Sequence, residues 1–158
     1  MSLALMSCNT ECEKTQVDLV AETANVEVVL EQYVVANMEQ DVDIIAKIWK
    51  NDEDVISIGT DSDERLVGWT HIEKSMRNQF QSFNNTFISV SNQVIRIDAD
   101  GRTAWFSESL NYNFIYLEKA MSFPEIRFTG VLQKLEGNWQ LVQGHLSIPA
   151  EVEMNEVY

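Results

Sequence analysis

The apolar residues of this chain change their spacing once, and the change divides the sequence in two. From Val17 to Phe83 they recur mostly at helical intervals, and from Thr86 to Ile148 they alternate with polar residues. A helical half followed by an alternating half predicts helices packed on one face of an antiparallel sheet. That is an α+β architecture, and it excludes a doubly wound parallel fold, whose helices and strands would interleave.

Within the first half, Val17 to Met38 contains neither Gly nor Pro and predicts one long amphipathic helix. Val17, Val20, Ala21, Ala24 and Val28 fall at helical spacing, with Leu30, Tyr33 and Val34 extending the apolar side. Asp41 can cap a short second helix carrying Ile44, Ile45, Ile48 and Trp49. Val55-Ile56-Ser57-Ile58 reads as a short strand, ended by Gly59 and the polar run Thr60 to Glu64. Thr70-His71-Ile72-Glu73 has the spacing of a capping box, and Ile72, Met76, Phe80 and Phe83 give a third helix its apolar face. In the second half, strands are expected at about 87–97, 103–116, 123–135 and 139–148. Asp98 to Gly101 and Glu136-Gly137-Asn138 are the turn signals.

Charge decides which partners are excluded. Eleven Lys and Arg stand against 25 Asp and Glu, a formal net charge of −14 in 158 residues. Such a field repels phosphate backbones and anionic lipid, and no basic run compensates, so a nucleic-acid partner is not expected. No apolar run reaches the length of a membrane span. The two histidines, His71 and His145, are far apart, and Cys8 and Cys12 lie together near the N-terminus, so neither a metal site nor a disulfide framework is expected. No glycine-rich phosphate loop occurs, so no nucleotide cofactor is expected.

Three stretches carry a resemblance to a known family. They are Val55 to Thr60 with Arg65-Leu66-Val67-Gly68-Trp69, then Asp100 to Ser107, and finally Thr129 to Lys134 running through Gly137-Asn138-Trp139 to His145-Leu146-Ser147. With the element order above, residues 20 to 150 resemble the SnoaL-like branch of the nuclear-transport-factor-two-like superfamily, which also holds the ketosteroid isomerases. The Gly-x-Trp…His-x-Ser ending also resembles the association domain of calcium/calmodulin-dependent protein kinase II. The resemblance implies a cone: three N-terminal helices on a curved antiparallel sheet, a pocket at the wide end, a homodimer through the outer face, and a bacterial origin. It does not imply one activity, because such cones host isomerases, cyclases, hydrolases and noncatalytic scaffolds.

The site must therefore be read from the residues. Ketosteroid isomerases carry a carboxylate base on the first strand, where this chain has Ser57-Ile58-Gly59-Thr60. Glycine moves no proton, so that route loses its central residue, and Asp61, Asp63 and Glu64 read as a solvated turn. On the last strand, simple alternation puts Trp139, Leu141, Gln143, His145 and Ser147 on one face. His145 is thus the candidate catalytic acid–base group, with Ser147 beside it; the alternative is a structural histidine satisfied by backbone. Arg127, flanked by Ile126 and Phe128, could hold an anionic oxygen if it points inward, or line a dimer face if it points outward. Tyr33, Trp49, Trp69 and Tyr112 are core aromatics with polar handles suited to a pocket wall, Trp69 plugging the cone. Arg65 is expected in a loop salt bridge, with leaning over the pocket mouth as the alternative; His71 is expected to be exposed, and Asn84-Asn85-Thr86 matches a glycosylation triplet that reads as a turn.

The reading expected is a protein that binds a small organic ligand through Arg127, His145, Ser147, Tyr33, Trp49 and Trp69. Two alternatives stay open. One is an isomerase, cyclase or dehydratase that uses His145 and Arg127, and the other is a noncatalytic oligomerisation module. Residues 1–16 are expected to be an unstructured segment and 151–158 an acidic tail. Leu5-Met6-Ser7-Cys8 matches the end of a lipoprotein signal without its charged and apolar regions. The chain is accordingly read as cytoplasmic, with an exported lipoprotein anchored through Cys8 as the alternative.

Overall fold

A computed structural model describes residues 17–150, so the readings of Cys8, Cys12 and the acidic tail lie outside the described residues. Helix α1 (Leu19–Glu39) starts at Asp18, whose carboxylate accepts from the amides of Val20 and Ala21 at 3.1 Å. It ends at Gln40, which takes the left-handed conformation. Its buried stripe is Val26, Leu30, Tyr33, Val34 and Asn37, whereas Val20 is 82% exposed and Val28 49%. The expected stripe through Val20, Ala21, Ala24 and Val28 therefore faces solvent. Valine and alanine lie all round this helix, so spacing alone does not select a face. Asp41 does cap α2 (Val42–Ile48), accepting from the Ile44 amide at 3.0 Å.

Strand β1 (Ile56–Ile58) turns back into β2 (Arg65–Val67), and α3 (Trp69–Ser82) follows after Gly68 alone. The expected capping box does not form. Gly68 is the N-cap, so Thr70 is already inside the helix, and the Glu73 carboxylate accepts from Arg77 one turn on, at 2.6 Å. Phe83, expected on the helix face, instead opens β3 (Phe83–Ile97) without an intervening loop. The sheet continues with β4 (Thr103–Tyr116), β5 (Lys119–Leu135) and β6 (Asn138–Ser147). Leu117 and Glu118, joining β4 to β5, both have positive φ, the conformation of a tight two-residue hairpin turn.

The sheet order is β2-β1-β6-β5-β4-β3. Every pairing is antiparallel except β1 with β6, where Ile58 lies beside His145 in parallel register, so the sheet is mixed rather than purely antiparallel. Its inner face packs Phe106, Leu110, Phe128, Leu132 and Leu141 against Leu30, Tyr33 and Val34 of α1 and Ile45 and Ile48 of α2. Gly130 makes this packing possible. A Cβ there would meet the Gln143 carbonyl and come within 2.7 Å of the Phe106 ring. One ion pair ties the start of α1 to the β5–β6 hairpin. Glu22 of α1 accepts from Lys134 at 2.6 Å and from the Trp139 indole at 2.8 Å.

Strand β6 departs from simple alternation. Leu132 pairs with Leu141 but Val131 pairs with Gln143, which leaves Val142 as an extra residue. Before it, Trp139 and Leu141 point into the core; beyond it, Gly144 and Leu146 face inward and Gln143, His145 and Ser147 face outward. The face expected to carry Trp139, Leu141, Gln143, His145 and Ser147 together is thus split between the two sides of the sheet.

Candidate functional site

A cavity of about 260 Å³ opens between α1, α3, the β1–β2 hairpin and the inner face of the sheet. Phe83, Phe114, Phe123, Met76, Ile126 and Leu146 give it an apolar wall. The rings of Phe83 and Phe114 stack at 3.9 Å, and Phe114 lies parallel to Phe123 at 5.9 Å. Such a wall forms because α3 runs directly into β3, so Phe83 swings from the end of the helix onto the strand that borders Phe114.

Four polar side chains meet in this wall: Tyr33 and Asn37 from α1, Gln79 from α3 and Tyr112 from β4. Gln79 donates to the Tyr112 hydroxyl at 3.0 Å and to Asn37 Oδ1 at 3.4 Å, and the Tyr112 hydroxyl donates to the same Oδ1 at 3.5 Å. Asn37, 2% exposed, anchors the group by donating to the Tyr33 carbonyl at 2.8 Å. Buried amides and hydroxyls are stable only when paired, so the network holds its members in place. Burial pushes the Tyr33 hydroxyl up to about 12, with the charge of Glu108 adding to the shift and Asn37 opposing it. Tyr112 is also pushed up, by burial first and then by Tyr33. Both hydroxyls therefore stay protonated at neutral pH; the Tyr112 proton, held only by the long 3.5 Å contact to Asn37 Oδ1, can turn to a ligand oxygen while Gln79 keeps Asn37 supplied.

The mouth is acidic. Ser57, Thr60, Asp61 and Glu64 line it, and no Lys, Arg or His lines the cavity among the described residues. Gly59 receives the half-buried Glu64 against its bare Cα: an added Cβ would fall 2.7 Å from Glu64 Cδ. The loop is fastened there by the Gly59 amide donating to the Glu64 carbonyl at 2.8 Å and the Asp61 amide donating to Glu64 Oε2 at 3.2 Å. The first strand lacks a carboxylate of its own, yet the loop lays one over the same position. Glu64 and Asp61, expected to be turn residues only, border the cavity, whereas Asp63 is exposed and does not.

Of the site residues expected from sequence, Tyr33 lines the cavity and stacks on Phe128 at 4.9 Å. Trp49 is 2% exposed and packs against Gly144 in the core. Trp69, the first residue of α3, donates its amide to the Asp52 carbonyl at 2.9 Å, 7% exposed and outside the cavity lining. Arg127, His145 and Ser147 do come together, since Arg127 is in register with Ser147 and Thr129 with His145. They do so on the outer face, because Arg127 alternates with buried Ile126 and Phe128 and the extra residue at Val142 turns His145 and Ser147 the same way. No group of three His, Cys, Asp or Glu able to hold a metal occurs among the described residues.

Asn37 and Gln79 were not singled out from the sequence, although a signal existed. Asn37 is four residues beyond Tyr33 and seven beyond Leu30, in line with the buried stripe. Gln79 stands seven beyond Ile72 and three beyond Met76, on the apolar side of α3. A polar residue in an apolar stripe points to a buried hydrogen bond.

Comparison with known proteins agrees with the fold. Residues 26–151 match the model of the SnoaL-like domain. No curated protein matches the sequence. Among solved structures, a nuclear transport factor 2 superfamily protein of Salmonella enterica serovar Typhimurium superposes with a TM-score of 0.78 at 14% identity, over 89% of this chain and 99% of that one. A candidate scytalone dehydratase of Novosphingobium aromaticivorans superposes with a TM-score of 0.73 at 14% identity, covering 84% and 87%. A candidate calcium/calmodulin-dependent protein kinase II association domain of Xanthomonas campestris gives 0.68 at 18% identity, covering 80% and 87%. At such identities the likeness shows the cone fold alone, while the domain match spans most of the sequence. The chain belongs to the SnoaL-like family.

Proposed function

We propose that the chain binds a small, uncharged aromatic molecule bearing a carbonyl or phenolic oxygen in the cavity between α1, α3 and the sheet. The carrying observation is the Gln79–Tyr112–Asn37 network set into a wall of stacked phenylalanines. The wall offers flat apolar surface, and the protonated Tyr33 and Tyr112 offer donors to an oxygen. Anions are disfavoured by Asp61 and Glu64 at the mouth and by the net charge of −14. The test is NMR titration with aromatic ketones and phenols. Shifts should cluster at Gln79, Tyr112 and Phe114, and affinity should fall about tenfold in Tyr112→Phe, the equivalent of one hydrogen bond. Shifts elsewhere, or an unchanged affinity in that variant, would refute the assignment.

A second reading rests on Glu64. A carboxylate lining the same cavity as neutral hydroxyl donors is a pairing that proton-transfer chemistry of the isomerase or dehydratase kind uses, and one structural neighbour is named as a candidate scytalone dehydratase. In that case Glu64, rather than His145 or Arg127, handles the proton. Glu64→Gln should then abolish turnover without weakening binding.

The outer face is proposed as the surface of a homodimer. It carries Arg127, His145 and Ser147 together with Trp105, 49% exposed, beside Val131 in register. A neighbour named as a candidate association domain supports the reading. Trp105→Glu should shift the mass measured by light scattering from dimer to monomer; a wild-type monomer would sink the idea.

A further inference from the structure

On the inner face of β4, between Phe106 and Leu110, stands a carboxyl group that the cavity above does not use. Glu108 is 4% exposed. One of its oxygens accepts from the Gln93 side chain at 2.7 Å, and the other has no partner among the described residues. Gln93 reaches it through a bulge: Ser91 pairs with Ser109 but Val94 pairs with Ser107, with Asn92 at φ 54° in between. Buried carboxylates normally find a full set of donors, and burial here pushes the Glu108 carboxyl upward.

The unpartnered group borders a groove between α1 and β3. Glu27 and Glu31 stand on its rim, and Leu30, Val34, Val35 and Val90 line it. No Lys, Arg or His lines it among the described residues. The last torsion of a glutamate is soft, so a small turn of the carboxyl presents the free oxygen to the groove.

We propose that this groove is a second binding site, for a small aliphatic primary amine in its ammonium form. The ammonium supplies the donors that Glu108 lacks, and the compact charge is one the two rim glutamates attract. The alkyl chain lies along Val35 and Val90, apolar surface that solvent otherwise wets. An anion would meet three carboxyl groups and no cationic side chain, so the site is charge-selective. The groove and the aromatic cavity lie along the same buried stripe of α1, Leu30 and Val34 lining the one and Tyr33 and Asn37 the other, but no residue lines both. The two ligands need not compete.

Calorimetric titration of the whole chain with n-hexylamine at neutral pH and low salt tests the proposal. Saturable one-to-one binding is expected, weakened about tenfold or more in Glu108→Gln and progressively by added salt, with no binding of hexanoate. Amide NMR on the wild-type chain gives a reading that does not depend on the variant's folding: shifts should cluster at Val90 to Gln93. Non-saturating heats, equal binding of hexanoate, unchanged affinity in Glu108→Gln, or shifts confined to Gln79 and Tyr112 would each overturn it. The aromatic cavity is tested separately, by Tyr112→Phe.

Discussion

Gln79 of α3 donates to the hydroxyl of Tyr112 on β4 across 3.0 Å, and this contact ties a helix to the sheet at the back of the cavity. Replacing Gln79 with leucine leaves the buried Tyr112 hydroxyl and Asn37 oxygen short of a donor. The expected cost is about 1–3 kcal/mol of stability, read as a lower midpoint in urea. An unchanged midpoint would mean that the network contributes nothing to folding.

The two raised tyrosines set an alkaline limit. An unfolded tyrosine loses its proton near 10, whereas folded Tyr33 holds it until about 12. Across that window the native state binds more protons than the unfolded one, so stability falls as pH rises. Their contribution is fully present below pH 10 and disappears as pH passes through the folded values. Tyr33 and Tyr112 should therefore ionise above the ordinary tyrosine value in ultraviolet titration. Tyr33→Phe should flatten the decline in stability, and an equally steep decline in that variant would contradict the assignment.

At the other end of the cone, Glu22 joins α1 to the β5–β6 turn. Hydrogen bonds from Lys134 and then Trp139 hold its carboxyl below its ordinary value of 4.5. A depressed carboxylate contributes stability above the unfolded value and loses it as pH falls. Glu22→Gln should lower stability at pH 7 by about 1–3 kcal/mol, with the gap to wild type closing in acid. Parallel stability curves from pH 7 down to 3 would show that the charge is irrelevant.

Gly130→Ala should cost about 1–3 kcal/mol through overpacking against Phe106 and the Gln143 carbonyl. Gly59→Ala separates stability from function. Its methyl group displaces the Glu64 carboxylate from the mouth, so ligand affinity should change more than the thermal midpoint does. A large loss of stability with intact binding would remove Glu64 from the site.

Much of the architecture was legible because period is a global signal: α2, its Asp41 cap and the β4 and β6 strands lie where spacing put them. Facing was less legible. Valine and alanine surround α1, so only the sheet selects Val26, Leu30 and Tyr33 for the core. The Leu117-Glu118 turn adopts positive φ with neither glycine nor asparagine to announce it. The cavity itself joins residues from positions 33, 37, 79 and 112, and only Tyr33 and Tyr112 had an aromatic ring to draw notice. Asn37 and Gln79 carry ordinary amides, whose meaning comes from the neighbours that folding supplies.

The supernumerary residue at Val142 amounts to half a rotation of the strand. Everything after it is turned through 180° from where counting by twos would leave it. A His-x-Ser ending is therefore not portable between cones as a statement about ligands. Without that rotation the imidazole of this strand would look into the cavity; with it, the ring lies on the outer face. The position of one surplus residue thus decides which side of the sheet the motif belongs to.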